Sequence, residues 1–229
     1  MNPFIDILIP TFARVKFLEE AVCCALNQDY DNFNIIVLNQ CEQQKLYINN
    51  NKVKIINLEK TIPTFSKPFN YLINSSKAKF FTLFCDDDLI MPWHIREHIK
   101  NILDNDLEVS IGQKSLFWMR QSNKVSDCFN NGNYMCENLP NIRYDESLEI
   151  GEDHVFLDNL KKHKYKMSNH NPSFVYCWEN GSHHISGNPS DLGSFARDMF
   201  DRFKKGLEPT GNIEIIPQLK DDAESLVCK

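Results

Sequence analysis

Residues 80–85 read Phe-Phe-Thr-Leu-Phe-Cys, a nearly continuous apolar run that stops abruptly at Asp86, Asp87 and Asp88. A strand with no polar side to show water has to be covered on both faces, which selects parallel sheets with helices above and below. The flanking sequence agrees. Residues 4–9, closed by Pro10, and residues 33–38 and 53–58 are further strand-like runs, the second bounded by the Asp/Asn turn 29–32. Between the first two, Leu18, Val22, Ala25 and Leu26 recur at helical spacing over residues 16–27, with Glu19 and Glu20 in the opening turns. Residues 68–76 are weakly helical after Pro68. Pro92 is placed to open a helix whose buried stripe is Trp93, Ile95, Ile99, Ile102 and Leu103. This alternation implies βα crossovers and an α/β fold with a mostly parallel sheet.

The second half is less regular. Residues 109–119 read as one or two strands, 122–140 as a polar, Asn-rich loop, 152–162 as a helix after Gly151, and 174–178 as a strand. Residues 182–190 are a Gly/Ser/His/Pro loop and 191–207 an amphipathic helix, while the tail from Glu208 carries no strong pattern. No repeat, low-complexity tract or linker divides the 229 residues, so one domain is expected.

Composition removes several classes of function. A net charge of −6 argues against nucleic acid as a partner. The apolar run 4–10 contains Asp6 and falls far short of the ~20 residues of a transmembrane helix. It also lacks the charged n-region and small-residue cleavage site of a signal peptide, so a cytoplasmic protein is expected. The eight cysteines include the neighbours Cys23 and Cys24 but no Cys-x-x-Cys pair. Several sit in apolar stretches, where a thiol behaves as a small hydrophobe.

In open parallel sheets, ligands bind beyond the carboxyl ends of the strands, here after Ile9, Leu38 and Cys85. Three adjacent carboxylates at such a mouth repel one another by ~4 kcal/mol per pair at ~4 Å and an effective dielectric of 20. A hard divalent cation with oxygen ligands would compensate. The alternative is a solvated turn, with Asp88 capping the helix near Pro92.

Context favours the cation. The string FFTLFCDDDLIMP resembles the metal-binding D-x-D region of family-2 glycosyltransferases with the GT-A fold. The opening DILIPTFARVKFLEEAVCCALNQDYDNFNIIVLNQ resembles the start of that family, and GEDHVFLDNL resembles its Gly-Glu-Asp motif. The three matches fall in the family's order over residues 4–160.

The resemblance implies a GT-A fold: a nucleotide-sugar-binding half (1–105), an acceptor half (106–190), and a C-terminal helix and tail. It places Pro10, Thr11 and Phe12 against the nucleotide, with Phe12 able to lie flat on a base. Ala13 stands where the family usually has Asn, and Arg14 could approach a phosphate. Asn39 and Gln40 replace the usual Asp-Asp after the second strand, leaving the identity of the base open; an amide can still read a base edge. Asn70 matches an Asn of the family, but Phe69 replaces the preceding Arg, and Lys67 is the nearby charge that could substitute.

The resemblance makes Asp87 the direct metal ligand and Asp86 the ribose or second-sphere group. Asp88 is an accessory ligand or a helix cap. Asp153 is the expected general base, with Glu152 orienting the acceptor. One of His183 and His184 is expected to complete the metal or diphosphate shell. His94, His98, His163 and His170 read as helix-face or surface residues, and Trp118 and Trp178 as core.

The implied reaction is inverting transfer of a sugar from a nucleotide diphosphate sugar to an acceptor hydroxyl of a glycan, lipid-linked or protein acceptor. Mn²⁺ or Mg²⁺ would assist the leaving group. A UDP-sugar donor is favoured over GDP- or dTDP-sugars. A sugar-nucleotide-forming nucleotidyltransferase would need a Gly-rich loop after strand one, and PTFARVKF has no glycine. The departures at Ala13, Asn39 and Phe69 keep open a non-catalytic nucleotide-sugar or glycan-binding module. Asp87 and Asp153 argue against it.

Overall fold

The computed structural model describes residues 2–62, 64, 66–148, 151–179 and 209–227. Its central sheet has seven strands, and the predicted alternation forms its parallel half. β1 (Ile5–Thr11) lies between β2 (Phe33–Asn39) and β5 (Phe80–Leu83), and β4 (Val53–Asn57) pairs with the far edge of β2, all in parallel. Helix α1 (Val15–Leu26) joins β1 to β2, and α2 (Ser66–Ser75) precedes β5. Ile5, Ile7 and Ile9 pack into one apolar cluster with α1 and with α3 (His94–Asn105). Leu8, Phe81 and Leu83 point to the other face and pack with α2 and with α4 (Glu152–Leu160). Covering both faces in this way is why these strands read as unbroken apolar runs.

Pro10 is tolerated inside a central strand for a local reason. The Leu8 carbonyl accepts from Phe84 on the β5 side, while the Thr11 carbonyl accepts from Gln40 on the β2 side. Pro10 therefore faces the same side as Leu8, where the pairing of β1 with β5 has already ended at Leu8–Leu83. Its missing N–H removes no ladder bond.

The remaining half departs from the sequence expectation. Residues 122–140 are not one loop: they contain β9 (Lys124–Cys128) and β10 (Tyr134–Glu137). The latter runs antiparallel between β5 and β7 (Val109–Gly112), and β11 (Tyr165–Ser168) adds parallel to β7. Tyr134, Met135 and Cys136 are fully or almost fully buried, an apolar island too short for periodicity to reveal. A second sheet is ordered β6 (Leu89–Ile90), β12 (Phe174–Trp178), β8 (Ser115–Met119), β9. Two-residue β6 was not anticipated.

The tail also folds. β13 (Gly211–Glu214) pairs in parallel with β3 (Gln44–Tyr47), Ile215 is buried, and α5 (Asp221–Val227) places Ala223 in the core. Helix α3 starts at His94 behind a turn containing Pro92, rather than at Pro92. Its buried stripe includes His94 and His98, both 0% exposed, whereas Leu103 is 45% exposed. The two histidines are core residues because strands on several sides supply hydrogen-bond partners that α3's own sequence does not display. Trp118 is core, as expected. The expected helix 191–207 lies outside the described residues. Among the described residues, no helix is long and apolar enough to cross a membrane.

Candidate active site

Strand order 5-1-2-4 reverses direction at β1, so a crevice opens at the carboxyl ends of β1 and β5, the usual ligand site of such sheets. β1 reaches Thr11 beside Asn39 of β2, while β5 stops earlier, opposite Leu8. The chain beyond β5 then runs along the end of β1 and brings Asp86 to Thr11, whose hydroxyl donates to Asp86 Oδ2 at 2.6 Å.

Arg14 completes this corner. Its Nη2 pairs with Asp86 Oδ1, its Nε with Asp86 Oδ2 at 3.3 Å, and its Nη1 with Asp87 Oδ2 at 2.9 Å. Ala13 just before it has φ 56°, a left-handed conformation that turns the chain out of β1 towards the acids. Burial works against the Arg14 charge, but Asp86 and Asp87 outweigh it and raise its pKa. Burial, opposed by Arg14, lifts the Asp86 carboxyl to about 6. Burial and then the Asp87 charge push Asp88 well above the usual carboxylate range, although its Oδ1 accepts the Cys177 N–H at 3.0 Å.

Asp88 also lines a pocket of about 170 Å³, together with Glu152 and Asp153. Phe69, Phe84, Tyr144, Phe174 and Tyr176 supply aromatic surface, and residues 130–132 supply amides. Gly151, at φ 75°, turns the chain into α4 and sets both acids in its first turn, where the helix dipole favours carboxylates. Burial raises the Glu152 pKa, while Asp153 is exposed.

Asn39 and Asn70 make structural contacts. Asn39 is fully buried; its amide donates to the Gln44 carbonyl at 2.8 Å and Asn57 Oδ1 at 2.9 Å, and its oxygen accepts from Cys41 N at 3.1 Å. Asn70 braces the segment before the pocket through Tyr144 O at 3.0 Å, Tyr144 N at 2.8 Å and Glu146 at 2.9 Å. Phe12 is buried beyond β1, and Lys67 is exposed on the first turn of α2. His183 and His184 lie outside the described residues.

One buried pair was not anticipated. Glu20 on α1 accepts from Arg120 Nη1 at 2.7 Å, and Arg120 Nη2 reaches the Asp87 carbonyl at 3.4 Å. Arg120 is stacked between Phe17 and Trp118. The readable signal was Glu20 itself, an acid among the apolar positions of α1.

The sequence model of glycosyl transferase family 2 matches residues 6–125, more than half of the 229-residue chain. The chain belongs to that family. An uncharacterized glycosyltransferase of Rickettsia typhi is 32% identical over 105 residues, covering 45% of this family-2 chain and 33% of that protein. One of Rickettsia bellii is 31% identical over 107 residues, covering 44% and 15% respectively. These alignments thus span a third or less of the curated relatives' length. Among solved structures, S. aureus TarS residues 1–349 in complex with UDP-GlcNAc superposes with a TM-score of 0.66 at 15% identity, covering 87% of this chain and 65% of that one. The same protein with UDP gives a TM-score of 0.62 at 13% identity, with 76% and 60% coverage. At such identities the likeness is one of fold, and the fold is of the GT-A type.

Proposed function

We propose that this family-2 protein is an inverting glycosyltransferase that moves a sugar from a nucleotide diphosphate sugar to the hydroxyl of a glycan, lipid-linked or protein acceptor. The observation that carries the reading is the pocket shared by Asp88, from the end of the β1–β5 crevice, and Asp153, from the first turn of α4. A donor lying across the crevice would present its anomeric carbon to that pocket. An acceptor oxygen attacking from the Asp153 side would form the new C–O bond as the bond to the diphosphate breaks. The acceptor proton goes to Asp153 and the electron pair leaves with the nucleoside diphosphate, giving inversion in one displacement. A UDP-sugar is the favoured donor, in keeping with the UDP and UDP-GlcNAc held by TarS.

The donor chemistry of the crevice suits a hard divalent cation in part. Asp87 and Asp88 offer carboxylate oxygens in a corner where three adjacent acids outnumber the Arg14 charge. Asp86 does not qualify, since Arg14 and Thr11 hold both its oxygens. Among the described residues no three potential ligands cluster; diphosphate oxygens, with His183 or His184, would complete the shell. Asp87 and Asp88 would hold Mn²⁺ or Mg²⁺, which when bound neutralises charge on the leaving diphosphate.

Thermal stabilisation by UDP-, GDP- and dTDP-sugars with and without Mn²⁺ tests the reading. One nucleotide should stabilise the protein only with metal, and Asp87→Ala should abolish the effect. Asp153→Asn should keep that binding but lose donor hydrolysis and transfer. Absence of metal-linked stabilisation with every donor would remove the proposal.

A further inference from the structure

The turn before β10 does more than connect strands, and its residues 130–133 divide the work between them. Asn130 Oδ1 accepts the Gly132 N–H at 2.7 Å and closes the turn. Gly132 lies against the pocket ring of Phe174, where a Cβ would fall 2.8 Å from Cζ, so no larger residue fits without moving that ring. Asn133 is fully buried, and its amide donates to the Lys114 carbonyl at 2.8 Å and to Ser115 Oγ at 3.1 Å. Its oxygen lies 3.0 Å from His98 Nε2, while His98 Nδ1 lies 2.9 Å from Ser110 Oγ, which accepts from Asn101 at 2.9 Å. These contacts form one directional chain, from Asn101 through Ser110 and His98 to Asn133, if His98 is neutral with its proton on Nε2. The turn is thereby bolted to α3 and β7.

Asn131 is the residue that this frame displays. Its Nδ2 donates to Asp153 Oδ2 at 3.1 Å and lies 2.9 Å from His154 Nδ1. Asp153 Oδ1 accepts the His154 N–H at 2.8 Å. The carboxylate is therefore held from two sides, and Asn131 itself lines the pocket.

We propose that Asn131 is a positioning residue for Asp153, fixing the rotamer in which that carboxylate faces the pocket, with the buried His98–Asn133 contact holding Asn131 in place. The inference rests on the reading of Asp153 as general base. An amide suits this position because it donates to the carboxylate yet has no proton that the base could remove at neutral pH. A displaced base misses the attacking oxygen, and an error of ~1 Å lowers rate by as much as ~100-fold.

The test is steady-state turnover, with water or acceptor, of whichever donor among UDP-GlcNAc, UDP-glucose, GDP-mannose and dTDP-glucose the wild-type protein consumes fastest with Mn²⁺. Asn131→Ala should lower kcat by ~10- to 100-fold. Its affinity for that donor and its melting temperature should stay at wild-type values, which a merely structural defect would not allow. In an Asp153→Asn background the same change should have no further effect. Wild-type kcat in Asn131→Ala, or an equal loss in both backgrounds, overturns the role for Asn131 while leaving Asp153 as base. Retained turnover in Asp153→Asn overturns the base assignment itself. A wild-type protein that consumes none of the four donors removes both.

Discussion

Arg14 grips Asp86 through two of its nitrogens and reaches on to Asp87, so the first helix and the acidic turn share one buried cation. The side chains of Arg14 and Asp86 are only 10% and 0% exposed. Removing one partner of such a pair leaves the other charge stranded. Arg14→Ala should lower unfolding free energy by ~3 kcal/mol, read from the urea midpoint. Arg14→Lys should recover only part, because an ammonium cannot span two carboxylates as a guanidinium fork does. A full rescue by lysine would show that the bridging geometry is unimportant.

The Glu20–Arg120 pair is a second such arrangement, deeper in the core. Arg120→Ala should cost ~3 kcal/mol, since it leaves the buried Glu20 carboxylate with only the half-exposed Lys220 ammonium, 4.0 Å from its Oε1. The double variant Glu20→Leu/Arg120→Met should unfold at nearly the wild-type denaturant concentration, because apolar replacement removes both desolvation penalties together. A double variant as weak as the single one would contradict this.

Acid should weaken the fold through His98. Burial, then the neighbouring His170, lowers its pKa from 6.5 to about 3, and burial lowers His94 well below 6.5 too. Between pH 6.5 and 3 the unfolded chain binds protons that the folded chain does not. The histidine contribution is therefore full above pH 6.5 and falls as pH drops, by up to ~1.4 kcal/mol per pH unit per histidine, while the raised Asp86, Asp88 and Glu152 carboxyls work in the opposite sense. Between pH 7 and pH 5 the change in stability read from urea titrations should shift towards stabilisation at pH 5 in His98→Gln relative to the wild-type protein. An identical change in the variant would exclude His98 as a source.

Gly151 should tolerate asparagine better than alanine. Its φ of 75° is left-handed, and a Cβ there meets nothing within 4 Å, so the penalty is conformational rather than steric crowding. Gly151→Ala should cost ~1 kcal/mol, and Gly151→Asn less, because asparagine visits this conformation more readily. Equal melting temperatures for the two variants would contradict the assignment.

Much of the parallel half was legible because its determinants are local. Each strand there is an apolar run long enough to see, each helix repeats its apolar face, and the acids after residue 85 follow directly on a strand. β10 and β13 were not legible, since four-residue strands carry too little pattern and take their place from the neighbours that receive them. The roles of Asn39 and Asn70 show the same division. Their sequence positions follow the family's pattern, yet their amides bind backbone that only the folded chain brings near.

The amino-acid order alone determined which residues had to be covered by water-free surface and where carboxylates would gather at a strand end, because both depend on neighbours a few positions apart. Tertiary structure decided which charges are paired, which histidines are interior, and that an asparagine at 131 meets an aspartate at 153. Those outcomes depend on long-range contacts whose energies exist only once distant segments are packed together, so no local pattern encodes them.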